Sequence, residues 1–246
     1  MNVYHITYGP NTGIVQLHFW GCNLACKACL LRREIYDCHL TETKDRIFQQ
    51  RNVENHVPQE FLGTDEVMQH LDNLKVNEVI FMGAEPALDP ELPGLTEMLH
   101  KRFSSRNVLL TNGFNHVDTE YIDEMVFSIK AVTDTIHRDF TGKSNETALK
   151  NLVDFHESGV KLRTESIFIP EYIDEKEIEK IACYIGGVDR DIPYRIDAYI
   201  PIGDNPWRRP MPGEIENAAS TAGKYLNNVS YLAGTEGLKY EVVRIF

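Results

Sequence analysis

Three cysteines within eight residues constrain this chain more than any other stretch. Cys22, Cys26 and Cys29 stand at the spacing C-x3-C-x2-C, directly after the apolar run Ile14-Val15-Gln16-Leu17-His18-Phe19-Trp20. Such a run predicts a buried strand, and a loop at its end can turn three thiols toward one point. Thiolates are the usual ligands of iron–sulfur clusters, and a four-iron cluster normally takes four of them. Three cysteines leave one iron without a protein ligand, open to a small molecule. Structural zinc normally takes four ligands in two cysteine pairs, and no second pair exists here. Ordinary buried thiols remain the other reading, since cysteine packs as a small hydrophobe.

Composition narrows the setting. At 246 residues the chain fits one α/β-barrel-sized domain, and no repeat or linker divides 1–246. A formal charge of −12 argues against a nucleic-acid surface, which needs clustered Lys and Arg. No apolar run reaches the roughly 18–20 residues that span a bilayer, and the N-terminus lacks a signal peptide's charged and apolar regions. Five cysteines, three of them bunched, do not form a disulfide framework. These features place the chain in a reducing cytoplasm with no membrane partner. Cys183 falls in a helical pattern and is expected in the core; Cys38 is a spare thiol or a further ligand.

Along the chain, residues 30–63 are polar and weakly periodic, long for a connection, and suggest a lid with its own short helix. From Thr64, an expected N-cap, helix and strand alternate. Helices are expected at 64–74, around 95–99, at 121–125, 144–158, 174–185 and 213–228. Strands are expected at 79–82, 108–110, 126–130, 160–169, 194–200 and near 240–245. Alternation of this kind implies a parallel sheet with helical crossovers. Six units are too few for a closed eight-stranded barrel.

The cysteine spacing resembles the signature of the radical S-adenosylmethionine (radical SAM) superfamily, and later stretches resemble its pyruvate formate-lyase activating enzyme branch. The resemblance implies an α/β fold, an open partial (β/α)6 barrel of parallel strands. It implies a [4Fe-4S] cluster on Cys22, Cys26 and Cys29, with the amino and carboxylate groups of S-adenosylmethionine (SAM) on the open iron. One electron from the cluster then cleaves the sulfonium and releases a 5′-deoxyadenosyl radical. An electron donor of flavodoxin or ferredoxin type is implied as a partner.

Gly83-Ala84-Glu85-Pro86 resembles the family's Gly-Gly-Glu-Pro motif, whose extended backbone accepts bonds from the methionine ammonium. Ala84 in place of glycine is tolerable only at negative φ. Thr111-Asn112-Gly113 and Ser128-Ile129-Lys130 resemble the branch's Thr-Asn-Gly and Asp-x-Lys, with Lys130 approaching SAM. An unpaired buried ammonium is costly, and the cofactor carboxylate would match it. The stretch from His137 to Asn145 resembles His-x3-Thr-Gly-x-Ser-Asn, with Ser144 as a helix cap. Arg163 resembles the arginine that meets the SAM carboxylate. Gly83, Ala84, Glu85, Asn112, Lys130 and Arg163 are thus the expected SAM contacts.

Departures concern the substrate. Leu110 and Ser128 replace two aspartates of the activases, Ile200-Pro201 stands where they carry histidine before proline, and Ala28 replaces a frequent aromatic. They favour a small-molecule substrate, covered by residues 30–63 and 199–207. The alternatives are an activating enzyme that installs a glycyl radical on a partner protein, and a non-catalytic iron–sulfur electron carrier. The carrier leaves Gly83–Pro86 and Lys130 unexplained.

Overall fold

A computed structural model describes residues 1–32, 40, 57–201, 204–234, 236 and 240–246. Most of the expected lid at 30–63, Cys38 included, lies outside the described residues. Nine strands form one sheet: β1 (Val3–Gly9), β2 (Ile14–Phe19), β3 (Glu78–Gly83), β4 (Arg106–Thr111), β5 (Glu124–Ser128), β6 (Leu162–Phe168), β7 (Tyr194–Ala198), β8 (Val229–Leu232) and β9 (Val243–Arg244). Their order is β8-β7-β6-β5-β4-β3-β2-β1-β9. From β2 to β8 every neighbouring pair is parallel. β1 and β9 extend the sheet with antiparallel pairs. The sheet is an open barrel, as expected, lengthened at one end by β8 and at the other by β1 and β9.

Among the described residues, six α-helices cover one face: α1 (Thr64–Leu71), α2 (Leu92–Phe103), α3 (Asp134–Thr141), α4 (Glu146–Glu157), α5 (Glu175–Val188) and α6 (Pro212–Ala222). Strand alternation gives them an apolar surface to pack on. Leu17, Phe19, Val79, Phe81, Leu109, Phe127, Tyr194 and Ile196 are all buried in that core.

Several expected boundaries shift. The short helix expected at 121–125 does not form: Met125 is fully buried inside β5. A one-turn helix has too few internal bonds to resist the neighbouring strand. β5 then ends at Ser128, so Lys130 stands two residues beyond it. α3 was not anticipated, although Thr133 and Asp134 mark its start. Gly63, not Thr64, caps α1, with the Gly63 N–H bonded to Glu66 at 2.7 Å. Asn145 rather than Ser144 is the cap of α4; the Ser144 hydroxyl donates to Asp134 at 2.8 Å. Helix α6 stops at Ala222, six residues short of expectation, and Cys183 on α5 is exposed rather than in the core.

The opposite, concave face mixes apolar and polar residues. In-register neighbours share a face, so Gln16, Ile80, Val108, Glu124 and their alternates project together. At the amino ends of the strands this face carries alternating charges. Glu78 pairs with Arg106, Arg106 with Glu124, and Glu124 with Arg163 and Lys161. Further along, Arg195 contacts Glu165 at 2.7 Å and Asp197 at 2.8 Å. A closed barrel fills this space with Val, Ile and Leu layers. Here the ionic lining forms the wall of an open cavity.

Candidate functional site

At the carboxyl ends of β2 and β3 the cysteine loop and the Gly83–Pro86 turn lie side by side. Gly21, at φ +95°, turns the chain out of β2. Its carbonyl accepts the Glu85 N–H at 3.0 Å, and the Phe19 carbonyl accepts the Ala84 N–H at 2.9 Å. The loop's middle is fastened to the end of α3: Ala25 N–H donates to Thr141 and Lys27 N–H to Phe140, both at 2.9 Å. Lys27 also pairs with Asp139 at 2.6 Å.

Cys22, Cys26 and Cys29 are all free thiols. Burial pushes the Cys22 thiol up and the Cys26 thiol up to about 11, with Lys130 pulling the other way on both. At neutral pH such thiols hold their protons, so metal binding there releases them.

Gly83 is required by geometry. It sits at φ +103°, and a Cβ there would meet the Phe19 backbone nitrogen and oxygen at 2.7 Å. Ala84 is not among the residues with positive φ, so the alanine costs nothing at the motif's second position. The Glu85 side chain is 1 % exposed and ties strand ends together. It accepts the Thr111 hydroxyl and the Asn112 N–H, each at 2.7 Å, and the Ala87 N–H at 3.2 Å. Burial raises its pKa, and these donors oppose the rise. Its carboxylate is a strut; the backbone beside it is what lines the rim.

Asn112 reaches the cysteine loop itself. Its amide nitrogen donates to Asn23 Oδ1 at 2.7 Å and to Cys22 Sγ at 3.7 Å. Lys130 donates to Ser128 at 2.6 Å. A small recess opens beside it, lined by Asn112, Ser128, Lys130, His137, Asn145 and Leu149 among others. His137 is tied to the α3–α4 turn, its Nδ1 2.7 Å from the Lys143 carbonyl. Burial lowers its pKa, so the ring is neutral and donates to that carbonyl.

Arg163 lies apart from the other expected SAM contacts. It is the second residue of β6, at the amino end of the strand, and pairs with buried Glu124. The cysteine loop, the Gly83 turn and Lys130 are at the other end of the sheet, Lys130 standing four residues beyond Arg163's partner Val126 in β5. About 3.3 Å per residue puts roughly 13 Å between those levels. The sequence placed a strand correctly but could not say which end of it faced the ligand.

Sequence reasoning missed Asn23 and Asn115, whose amides continue from Asn112, and the Glu165–Arg195–Asp197 group. No local motif marks either, because both assemble across distant strands and loops.

Thiols are the donor set of iron–sulfur clusters. Among the described residues no three His, Cys, Asp or Glu side chains converge to share a single metal ion. Three free thiols on one loop at the carboxyl ends of parallel strands fit a cluster as donor chemistry. The class so defined is an iron–sulfur enzyme of the open α/β-barrel type. A family model described as "Radical SAM superfamily" matches residues 17–185, and the chain belongs to that superfamily. It is therefore an enzyme whose cofactors are a [4Fe-4S] cluster and SAM.

A Methanocaldococcus jannaschii protein provisionally named a glycyl-radical enzyme activating enzyme is 28 % identical over 238 residues, 94 % of this chain and 84 % of its own length. A domain of a pyruvate-formate lyase-activating enzyme from Bacteroides vulgatus superposes at a TM-score of 0.54 with 18 % identity, over 63 % of this chain and 99 % of that one. Streptococcus suis SuiB, solved with SAM, superposes at 0.57 with 13 % identity over 89 % of this chain and 46 % of SuiB. The chain thus spans about half of SuiB. These superpositions establish the shared fold. No helix among the described residues is long and apolar enough to cross a membrane.

Proposed function

We propose that Cys22, Cys26 and Cys29 ligate three irons of the cluster, and that Gly83 to Glu85 and Lys130 hold SAM. The carrying observation is that one loop with three free thiols, the Gly83 turn and an ammonium without a described carboxylate partner all lie at the carboxyl end of the sheet. When bound, the two cofactors supply a reductively generated carbon radical that abstracts hydrogen from the substrate. The chain's own part is positional. The Gly83–Glu85 backbone offers carbonyls to the methionine ammonium, and Lys130 offers its charge to the methionine carboxylate. Glu85 holds β3 and β4 together so that both stay in register. The cover over the site excludes water from a reactive intermediate.

The substrate we propose is a small molecule. Asn205 donates to the Lys27 carbonyl at 3.0 Å and Trp207 stacks on Tyr172 at 4.6 Å, so the proline-rich run is seated against the cysteine loop. A second reading, an activating enzyme acting on a partner protein, is favoured by the name of the M. jannaschii relative. In either case the chain acts as one domain, in a reducing cytoplasm, with a flavodoxin- or ferredoxin-type electron donor.

Anaerobic reconstitution tests the cofactor reading. About four irons per chain and SAM cleavage are expected, both lost in Cys26→Ala and both kept in Cys183→Ala. Full cleavage by Cys26→Ala would sink the reading. Substrate-dependent cleavage should follow the small-molecule fraction of a cell extract. A glycyl-radical signal arising in a protein of that extract would overturn the small-substrate choice.

A further inference from the structure

We infer that Asn112 is a positioning residue that sets the reduction potential of the cluster, by donating a hydrogen bond to the Cys22 sulfur. The inference rests on the reading of Cys22 as a cluster ligand. Its basis is a chain of amides whose direction is fixed at each link. The Asn112 backbone N–H is held by buried Glu85 at 2.7 Å. Its side-chain oxygen accepts the Phe114 N–H at 3.0 Å, so the amide nitrogen must face the cysteine loop. There it donates to Asn23 Oδ1 and lies 3.7 Å from Cys22 Sγ.

With Asn23 Oδ1 accepting, Asn23 Nδ2 donates onward to Asn115 Oδ1 at 3.2 Å. Asn115 Nδ2 in turn donates to the Ala87 carbonyl at 3.3 Å. None of the three amides can flip without breaking a neighbour's bond. Cys22 also accepts the Leu24 N–H at 3.4 Å. Among the described residues, Cys26 and Cys29 receive no side-chain amide.

Donors to a ligating sulfur stabilise the extra negative charge of the reduced cluster, and hydrogen bonds to sulfur are among the levers that set its potential. Asn112 thus makes one-electron reduction easier at the iron held by Cys22, with the electron coming from an external reductant. Because Glu85 anchors Asn112 as well as the Gly83–Pro86 turn, the same buried carboxylate aligns the sulfur donor and the SAM rim.

The test is an anaerobic potentiometric titration of reconstituted protein without SAM, using dithionite and mediators, read by the paramagnetic signal of the reduced cluster. Asn112→Asp keeps the acceptor for Phe114 and removes the donor, so its midpoint should shift negative. Asn112→Ala should shift less far in the same direction, since it adds no charge. Asn115→Ala, which loosens the far end of the chain, should shift least. Should Asn112→Asp fail to fold, Asn112→Ala carries the test. Unchanged midpoints in loaded Asn112 variants overturn the inference, as does a folded variant that holds no iron while wild type does. Wild-type protein that takes up no iron would instead sink the cysteine assignment, which separates the two failures.

Discussion

The two ends of the concave face use polar residues in opposite ways. At the amino ends of the strands every charge described meets its opposite: Glu78, Arg106, Glu124 and Arg163 alternate across four strands. At the carboxyl ends, the Lys27–Asp139 pair apart, the polar groups named at the site have neutral hydrogen-bond partners. Glu85 is ringed by two N–H groups and a hydroxyl, Lys130 faces a serine, and three thiols stand without disulfides. A charge matched within the fold keeps the sheet in register and has little left to offer a ligand. A charge met only by neutral groups is poised for a ligand of opposite sign. Position along the strand, more than residue type, therefore separates scaffold from site.

Gly83 gives the strongest way to break that division, because the rim there depends on bare backbone. Gly83→Ala places a Cβ 2.7 Å from the Phe19 backbone at a φ that alanine adopts at a cost. A loss of about 2–4 kcal/mol in unfolding free energy is expected. SAM binding should suffer beyond what the stability loss explains. A variant that melts like wild type would show that β2 can yield at Phe19.

Lys130 and Arg163 set the two ends directly against each other. Lys130→Ala should weaken SAM binding by about 1.5–3 kcal/mol, the size of a charge-assisted hydrogen bond, with little effect on stability. Arg163→Ala should leave the SAM dissociation constant unchanged and lower stability by about 1–2 kcal/mol, since Glu124 loses one of its cations. If Arg163→Ala weakens SAM binding as much as Lys130→Ala does, the floor and the rim are one site.

These cases show what the sequence made legible. The three cysteines, Gly83–Pro86 and Lys130 are local motifs, and each stands just after the carboxyl end of a strand. The parallel sheet followed from the alternation of apolar runs with helical periodicity. What failed was what needs partners from elsewhere. Arg163 reads as polar in a strand, and only the register with Glu124 in β5 assigns its end. Met125 and its apolar neighbours fit a helical period as well as a strand's, and pairing with Leu162 settles the strand. Strand β1 escaped notice, although His5 and Thr7 complete the polar face opposite His18 and Gln16. Cys183 matched an apolar stripe by spacing, yet falls on the outer side of α5.

The smallest effect expected is a pair of opposed pH dependences from two buried glutamates at the two ends. For Glu124, burial would raise the pKa, but Lys161, Arg163 and Arg106 together hold it below the ordinary range. A lowered folded value means stability that is present above the unfolded pKa of about 4.3 and lost as pH falls through the folded one. For Glu85, burial prevails over its neutral donors and raises the pKa. A raised folded value means the reverse: stability present below about 4.3 and lost as pH rises through the folded value. Urea unfolding of the cluster-free protein at stepped pH reads both. Glu124→Gln should flatten the fall in stability toward acid. Glu85→Gln leaves a donor facing donors, a constant cost at every pH, so only its slope is informative. Relative to wild type its stability should improve as pH rises above about 4.3. Parallel pH curves for the two variants would mean that the rim carboxylate is matched as fully as the floor's, and the contrast between the two ends would fall.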